Sequence, residues 1–63
     1  MSADKLIPIT EVMELVGLKK PTIYKYIRHG NFPKPVKIGK RASRWSLNAV
    51  LEWIEQQKEP HND

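Results

Sequence analysis

Residues 17–45 have the sequence GLKKPTIYKYIRHGNFPKPVKIGKRASRW, which contains most of the signals that predict the fold. Pro21 suits the first residue of a helix, because its missing N–H would have no partner there. That helix is predicted to run to about His29, after which Gly30 and two prolines end it. A shorter helix ends at Gly17, so about three or four residues join the two helices, as in a helix-turn-helix.

The shorter helix is predicted from the residues at its start. Thr10 suits the N-cap position, and Glu11 lies in the first turn, where the helix dipole favours an acidic side chain. The helix is therefore predicted over residues 11–16, with one apolar face. Residues 6–9 before it are expected to form an extended apolar segment, which Pro8 keeps out of the helix.

A small β-hairpin is predicted after the second of the two prolines, where helical spacing gives way to alternation. Val36 and Lys37 point to opposite sides of a first strand, and Arg44 and Trp45 point outward and inward on a second. Residues 39–43 between the strands form a basic tip. Two helices followed by a basic hairpin make a winged helix-turn-helix.

A last helix is predicted to begin after Ser46, which can cap it. Its apolar stripe at helical spacing consists of Leu47, Val50, Leu51 and Ile54, with Trp53 on the border. The tail from residue 58 to residue 63 is expected to fray. These elements predict a single domain over residues 1–63, with an ordered core at about 6–57, that is mainly α with a small β-hairpin.

The composition limits the classes of function. A chain of 63 residues buries only about 60% of its unfolded surface, which leaves little room for an enclosed pocket. The chain has no cysteine, and its two histidines do not make a convincing metal site, so neither a metal nor a cofactor is expected. Only four successive non-polar residues, 6–9, follow the polar start, so no signal peptide or membrane span is predicted. The protein is expected to be soluble and cytoplasmic.

Positive charge is concentrated in the middle of the chain. Nine of the eleven Lys and Arg residues lie between Lys19 and Arg44, a range without Asp or Glu, whereas the flanks are acidic on balance. The alternative is a solvated charged surface without a partner. Apolar residues alternate with the basic ones, however, and predict a folded basic surface, which favours a polyanion as partner.

The second helix has one face that can pack and one that can bind. Ile23 and Ile27 fall together, and Lys25 and Arg28 fall on the opposite side. Tyr24 lies at the border, where its ring can pack while its hydroxyl reaches a phosphate. The free side of such a helix fits the major groove of DNA, about 12 Å wide, and contacts to bases and to phosphates are both open to it. The predicted DNA contacts here are Lys19, Lys20, Thr22, Tyr24, Lys25 and Arg28.

The hairpin is predicted to make a second contact. Lys40 and Arg41 at its tip, backed by Lys37 and Arg44, suit the minor groove or the phosphates beside it. Lys34 and Lys37 are equally well explained as solvating groups. The two tryptophans are assigned to the core and not to base stacking, because each borders an apolar stripe.

Four segments of the chain resemble the AlpA family of prophage regulatory proteins. They are residues 17–24 with the triplet Thr22-Ile23-Tyr24, residues 30–39 with Phe32-Pro33-Lys34-Pro35-Val36, the residues Arg41, Arg44 and Trp45, and residues 49–54. The resemblance covers about residues 6–57. The family is similar to the winged-helix DNA-binding domains of MerR-type regulators and of phage excisionases.

The resemblance implies a small bacterial protein that binds double-stranded DNA and regulates prophage or genomic-island genes, notably integrase. Some members act in excision as recombination directionality factors, which adds an integrase as a candidate partner and the nucleoid as a location. By resemblance, the positions at Thr22, Tyr24, Lys25 and Arg28 fall in the recognition helix, and Arg41 falls in the wing. Members usually carry a small hydroxyl residue where this chain has Lys19-Lys20-Pro21, so the cap is expected to be weaker and the helix start is open by one residue.

An enzyme is not predicted, because the carboxylates lie on the first and last helices at exposed spacing. The leading hypothesis is sequence-specific binding of duplex DNA. The alternative is a protein-binding adaptor that contacts an integrase or a signalling regulator through the last helix or residues 6–9. A single module buries only about 600 to 1,000 Å² on DNA, so weak or DNA-dependent self-association on adjacent repeats is expected.

Overall fold

The structure is a computed structural model that describes residues 3–59. In chain order its elements are β1 (Leu6–Ile7), α1 (Ile9–Val16), α2 (Lys20–Arg28), β2 (Val36–Ile38), β3 (Ala42–Ser46) and α3 (Leu47–Lys58). The helix pair α1–α2 is followed by the hairpin β2–β3 and a last helix, which confirms the predicted winged helix-turn-helix. The tail predicted to fray begins at Lys58, but Lys58 is the last residue of α3, and residues 60–63 of that tail lie outside the described residues.

The three strands form one antiparallel arrangement in the order β1-β3-β2. Leu6 pairs with Ser46 and Ile7 pairs with Trp45. The segment that the sequence predicts only as extended is therefore an edge strand of the sheet. Two residues are too few to show a periodic pattern in the sequence. The strand β1 is therefore recognised only from its pairing with β3 in the structure.

The start of α1 differs from the prediction. The helix begins at Ile9, and Pro8, not Thr10, occupies the N-cap position without a side-chain cap. The carbonyl oxygen of Pro8 accepts from the backbone N–H groups of Glu11 and Val12, both at 3.1 Å. The physical reason is the strand before it: β1 ends at Ile7, so one extended residue is enough to turn the chain into the helix.

Both ends of α2 follow from its flanking residues. The helix begins at Lys20, and Lys19 provides no side-chain cap, as its lysine side chain leads one to expect. Beyond Arg28 the chain turns through Gly30, whose φ is 75°. The Gly30 N–H donates to the Ile27 carbonyl at 3.1 Å and the Asn31 N–H to the Tyr26 carbonyl at 2.8 Å, the two bonds of a Schellman motif.

The start of α3 carries two caps. Ser46 Oγ accepts from the Ala49 N–H at 3.0 Å, which confirms the predicted N-cap. The carboxylate of Asp4 adds a second, because it accepts from the Ser46 hydroxyl and, at 3.0 Å, from the Asn48 N–H. These hydrogen bonds favour the ionised form and hold the pKa of the Asp4 carboxyl below its ordinary value. The bond from Ser46 contributes most, followed by those from the backbone N–H groups of Asn48 and Lys5.

The core is small and draws on all three helices. The buried side chains are Ile7, Val12, Ile23, Phe32, Trp45 and Val50. Trp45 is thus in the core, as predicted, and the partly buried Trp53 packs against it. The predicted stripe of α3 is correct for Val50 but too wide, since Leu51 is 42% exposed. Leu51 lies about 100° further round the helix than Val50, past the edge of the contact.

Candidate nucleic-acid interface

The free face of α2 is exposed and basic. Lys25 and Arg28 are exposed, whereas Ile23 on the opposite side is fully buried. Thr22 and Tyr24 are half-buried at the two borders of the free face. The four contacts predicted on this helix therefore lie on or beside one face, and the exposed Lys19 and Lys20 stand at its beginning.

Tyr24 joins α2 to the sheet. Its ring meets the Trp45 ring edge-on, with centroids 6.2 Å apart and planes at 70°. This contact places α2 on the side of β3 to which Trp45 points. Within residues 3–59 the Tyr24 hydroxyl has no hydrogen-bond partner, so its apolar ring is packed while its polar end is unused.

The hairpin has two sides with different content. Lys37 pairs with Ser43, and Val36 pairs with Arg44. Because successive residues of a strand alternate, Lys37 and Ser43 share the side of Trp45, the side on which Tyr24 of α2 contacts the sheet. We call this the helix side of the hairpin. Arg44 lies with Val36 on the other, outer side.

The structure therefore separates two residues that the sequence groups as support for the wing. Lys37 is exposed on the helix side, whereas Arg44 is half-buried on the outer side and its Nη1 donates to the Ser43 carbonyl at 2.9 Å. Ser43, which was not among the predicted contacts, lies opposite Lys37 on the helix side and is a further candidate. Its spacing of two from the inward-pointing Trp45 is the signal that would have identified it.

The tip of the wing is an exposed turn. Lys40 and Arg41 are both exposed in the turn between β2 and β3. The preceding Gly39 has a φ of 66°, a left-handed conformation that glycine adopts without the steric cost of a side chain. The two basic side chains are therefore presented at the end of a projecting hairpin.

Within residues 3–59, the basic residues from Lys19 to Arg44 form no salt bridge with an acidic side chain. The salt bridge in residues 3–59 joins Lys58 to Glu55 within α3, at 3.2 Å. The acidic residues of the described chain lie on α1, on α3 and beyond its end, and at Asp4. The charges between Lys19 and Arg44 thus form a positive field that favours an anionic partner.

The remaining concavities offer little chemistry. A shallow cleft of about 810 Å³ lies between the connection after α2 and the side of α3. Among its lining residues Glu52 is the one ionisable acid, and no histidine or cysteine accompanies it. Along residues 3–59 no three side chains of His, Cys, Asp or Glu are grouped as a metal would require. In the same part of the chain no helix is long and apolar enough to cross a membrane.

The two helices and the hairpin define the winged helix-turn-helix class of fold, and the exposed basic residues lie on its second helix and on its wing. The chain belongs to the AlpA family, because the family model described as "Prophage CP4-57 regulatory protein (AlpA)" matches residues 5–58. The resemblance noted in the sequence is thereby confirmed.

A relative from a phage is also known. The "Uncharacterized protein ORF88" of Enterobacteria phage P4 is 35% identical over 54 residues, which cover 86% of this chain and 61% of the relative. The chain thus spans about three fifths of the length of that relative.

Proposed function

We propose that this protein binds specific sites on double-stranded DNA and controls prophage or genomic-island genes, among them an integrase gene. The observation that carries the proposal is the unneutralised positive charge on the free face of α2 and on the wing. Both belong to a fold in which the second helix enters the major groove. The site of action is then the bacterial nucleoid, in the cytoplasm.

Each predicted contact has a role in this arrangement. Lys19 and Lys20 bind phosphates beside the start of α2, where the free N–H groups of the helix also favour an anion. Lys25 and Arg28 face the groove and are the candidates for base contacts, because both can donate to guanine O6 and N7. The Tyr24 hydroxyl, and that of Thr22, bind the phosphates that border the groove.

The wing supplies the flanking contact. Lys40 and Arg41 at the tip bind the minor groove or the phosphates beside it. Lys37 and Ser43 on the helix side face the same DNA as α2. Arg44 contributes less in this proposal, because its side chain lies on the outer side and is engaged with a backbone carbonyl.

The regulatory output is the control of transcription, of excision, or of both through one binding surface. The family description supports a regulator, and the phage relative supports a mobile-element context. A single module buries little surface on DNA, so we propose that several copies occupy adjacent repeats and that the altered path of the DNA favours excision by an integrase.

The adaptor alternative keeps the exposed side of α3 and part of its second surface. Ile7 is fully buried and paired with Trp45, so it is not available to a partner, whereas Leu6 beside it is 44% exposed. Charge provides the discrimination, because DNA binding weakens steeply with salt and an ordinary protein interface does not.

Fluorescence anisotropy tests the proposal with labelled duplexes tiled across the native integrase promoter and attachment site, each at two salt concentrations. One tile should bind more tightly than a scrambled duplex. Lys25→Ala should weaken that complex roughly tenfold, while the control Lys58→Ala, which removes the same charge from α3, should not. Equal binding to every tile would contradict sequence specificity, and no binding would favour the adaptor.

A further inference from the structure

The connector between α2 and the wing, residues 31–35, is held by tryptophans from two other elements. Trp53 of α3 donates its indole N–H to the Asn31 carbonyl oxygen at 2.6 Å. Trp45 of β3 donates its indole N–H to the Pro33 carbonyl oxygen at 3.1 Å. Two carbonyls that are two residues apart are thus bound to different parts of the domain.

The connector has few backbone hydrogen bonds of its own. Two of its five residues are prolines, which have no N–H to donate. Among the described residues, the connector makes one backbone–backbone hydrogen bond outside the helices and strands. In it the Asn31 N–H donates to the Tyr26 carbonyl oxygen and closes α2. Residues 32–35 therefore depend on side chains from the rest of the domain for their position.

The rings of the same two tryptophans also pack against the connector and against α2. Phe32, only 5% exposed, meets Trp53 edge-on with ring centroids 4.9 Å apart. Trp45 packs against Tyr24 of the recognition helix and at the same time belongs to the wing strand β3. A shift of either indole would therefore displace the wing relative to α2.

We propose that Trp45 and Trp53 are positioning residues that fix the wing relative to α2 and so set the spacing between the two DNA contacts. The inference rests on the proposed function. The wing begins at Val36, directly after the connector, so a displaced connector moves Arg41 away from the DNA that Lys25 holds. Rigid placement also avoids the entropic cost of ordering the wing on binding.

A double-mutant cycle tests the positioning role. Trp53→Phe keeps a ring against Phe32 and removes the indole donor. In the wild-type protein Arg41→Ala should weaken binding to the specific duplex roughly tenfold, and in the Trp53→Phe protein by about twofold or less. The loss caused by Lys25→Ala should be the same in both proteins.

A control variant separates positioning from stability. Ile54→Val trims the partly buried face of α3 without touching the connector and should leave the effects of Arg41→Ala and Lys25→Ala unchanged. Equal losses from Arg41→Ala in the wild-type and Trp53→Phe proteins would overturn the inference. The proposed function would stand in that case, whereas absence of DNA binding by the wild-type protein would remove both.

A measurement on the free wild-type protein adds a test that needs neither DNA nor a variant. The ¹⁵N order parameters of Lys37 and Arg44 in the wing should match those of α2, near the value of about 0.85 typical of rigid backbone. Values below about 0.6 in the wing beside a rigid α2 would show a wing that moves independently, which overturns the inference.

Discussion

Tyr24 of α2 meets Trp45 of the wing strand edge-on, and its hydroxyl has no partner within residues 3–59. The ring packs the domain and the hydroxyl is available for a ligand. Tyr24→Phe should therefore leave the midpoint of thermal unfolding unchanged and weaken DNA binding roughly threefold to tenfold, the value of one lost hydrogen bond.

Tyr26→Phe is the matched control for that variant, because Tyr26 lies on the packed side of the same helix. Anisotropy titrations of both proteins against one duplex make the comparison. If both substitutions weakened binding equally, the Tyr24 hydroxyl would have no particular role in the complex.

The two sides of the wing should contribute differently to DNA binding. Lys37→Ala removes a charge from the helix side and should weaken binding to all sequences, with a log-log salt slope shallower by about 0.9. Arg44→Ala removes the same charge from the outer side and should change the slope less. Titrations over a range of salt concentrations measure both slopes, and a larger effect of Arg44→Ala would place the DNA on the outer side.

The Schellman turn after α2 should be sensitive to the residue at position 30. Gly30 has a φ of 75°, and a Cβ atom at this position would meet no atom within 4 Å beyond the adjacent residues of the chain, so the cost of Gly30→Ala is one of backbone conformation. The expected loss is about 1 kcal/mol in the free energy of unfolding. Urea denaturation measures it.

Gly30→Asn provides the comparison at the same position, because asparagine tolerates the left-handed conformation better than alanine does. It should lose less stability than Gly30→Ala. A larger loss for asparagine than for alanine would mean that something other than φ controls this turn.

The pKa of Asp4 gives stability a pH dependence with a defined sign. Its folded-state pKa is lowered from the ordinary value of 3.8, so the ionised carboxylate stabilises the fold. This contribution is complete above the unfolded-state pKa and is lost as the pH falls through the folded-state pKa. Asp4→Asn should therefore lower the thermal midpoint at pH 7, and the difference from wild type should close in strong acid.

Thermal unfolding followed by circular dichroism over a pH series tests this behaviour. Glu14→Gln, which removes an exposed carboxylate from α1, is the control for net charge. A gap between wild type and Asp4→Asn that persists unchanged at low pH would exclude the carboxylate as its source.

The elements with local signals were predictable from the sequence, and those that depend on distant partners were not. Pro21 and Gly30 mark α2, and Ser46 marks the start of α3, because caps and breakers act within one turn. The strand β1 and the Asp4 cap both require β3 and α3, which lie some forty positions further along the chain. No local pattern could indicate either.

The candidate interface divides in the same way. A helical angle of 100° per residue is enough to place Lys25 and Arg28 on one face. The separation of Lys37 from Arg44 needs the strand register and the side of the sheet that α2 contacts. The pairing of β2 with β3 gives the register, and the contact between Tyr24 and Trp45 gives the side, and only the folded chain reveals both.

The pairing of Ile7 with Trp45 also has a consequence for synthesis on the ribosome. The first strand emerges early, yet its partner is made only after both helices of the helix-turn-helix. Until then Ile7, Val12 and Ile23 lack the indole that completes their core. The core is therefore complete only after β3 and α3 have been made, and a chain that ended before Trp45 would lack the largest of its buried side chains.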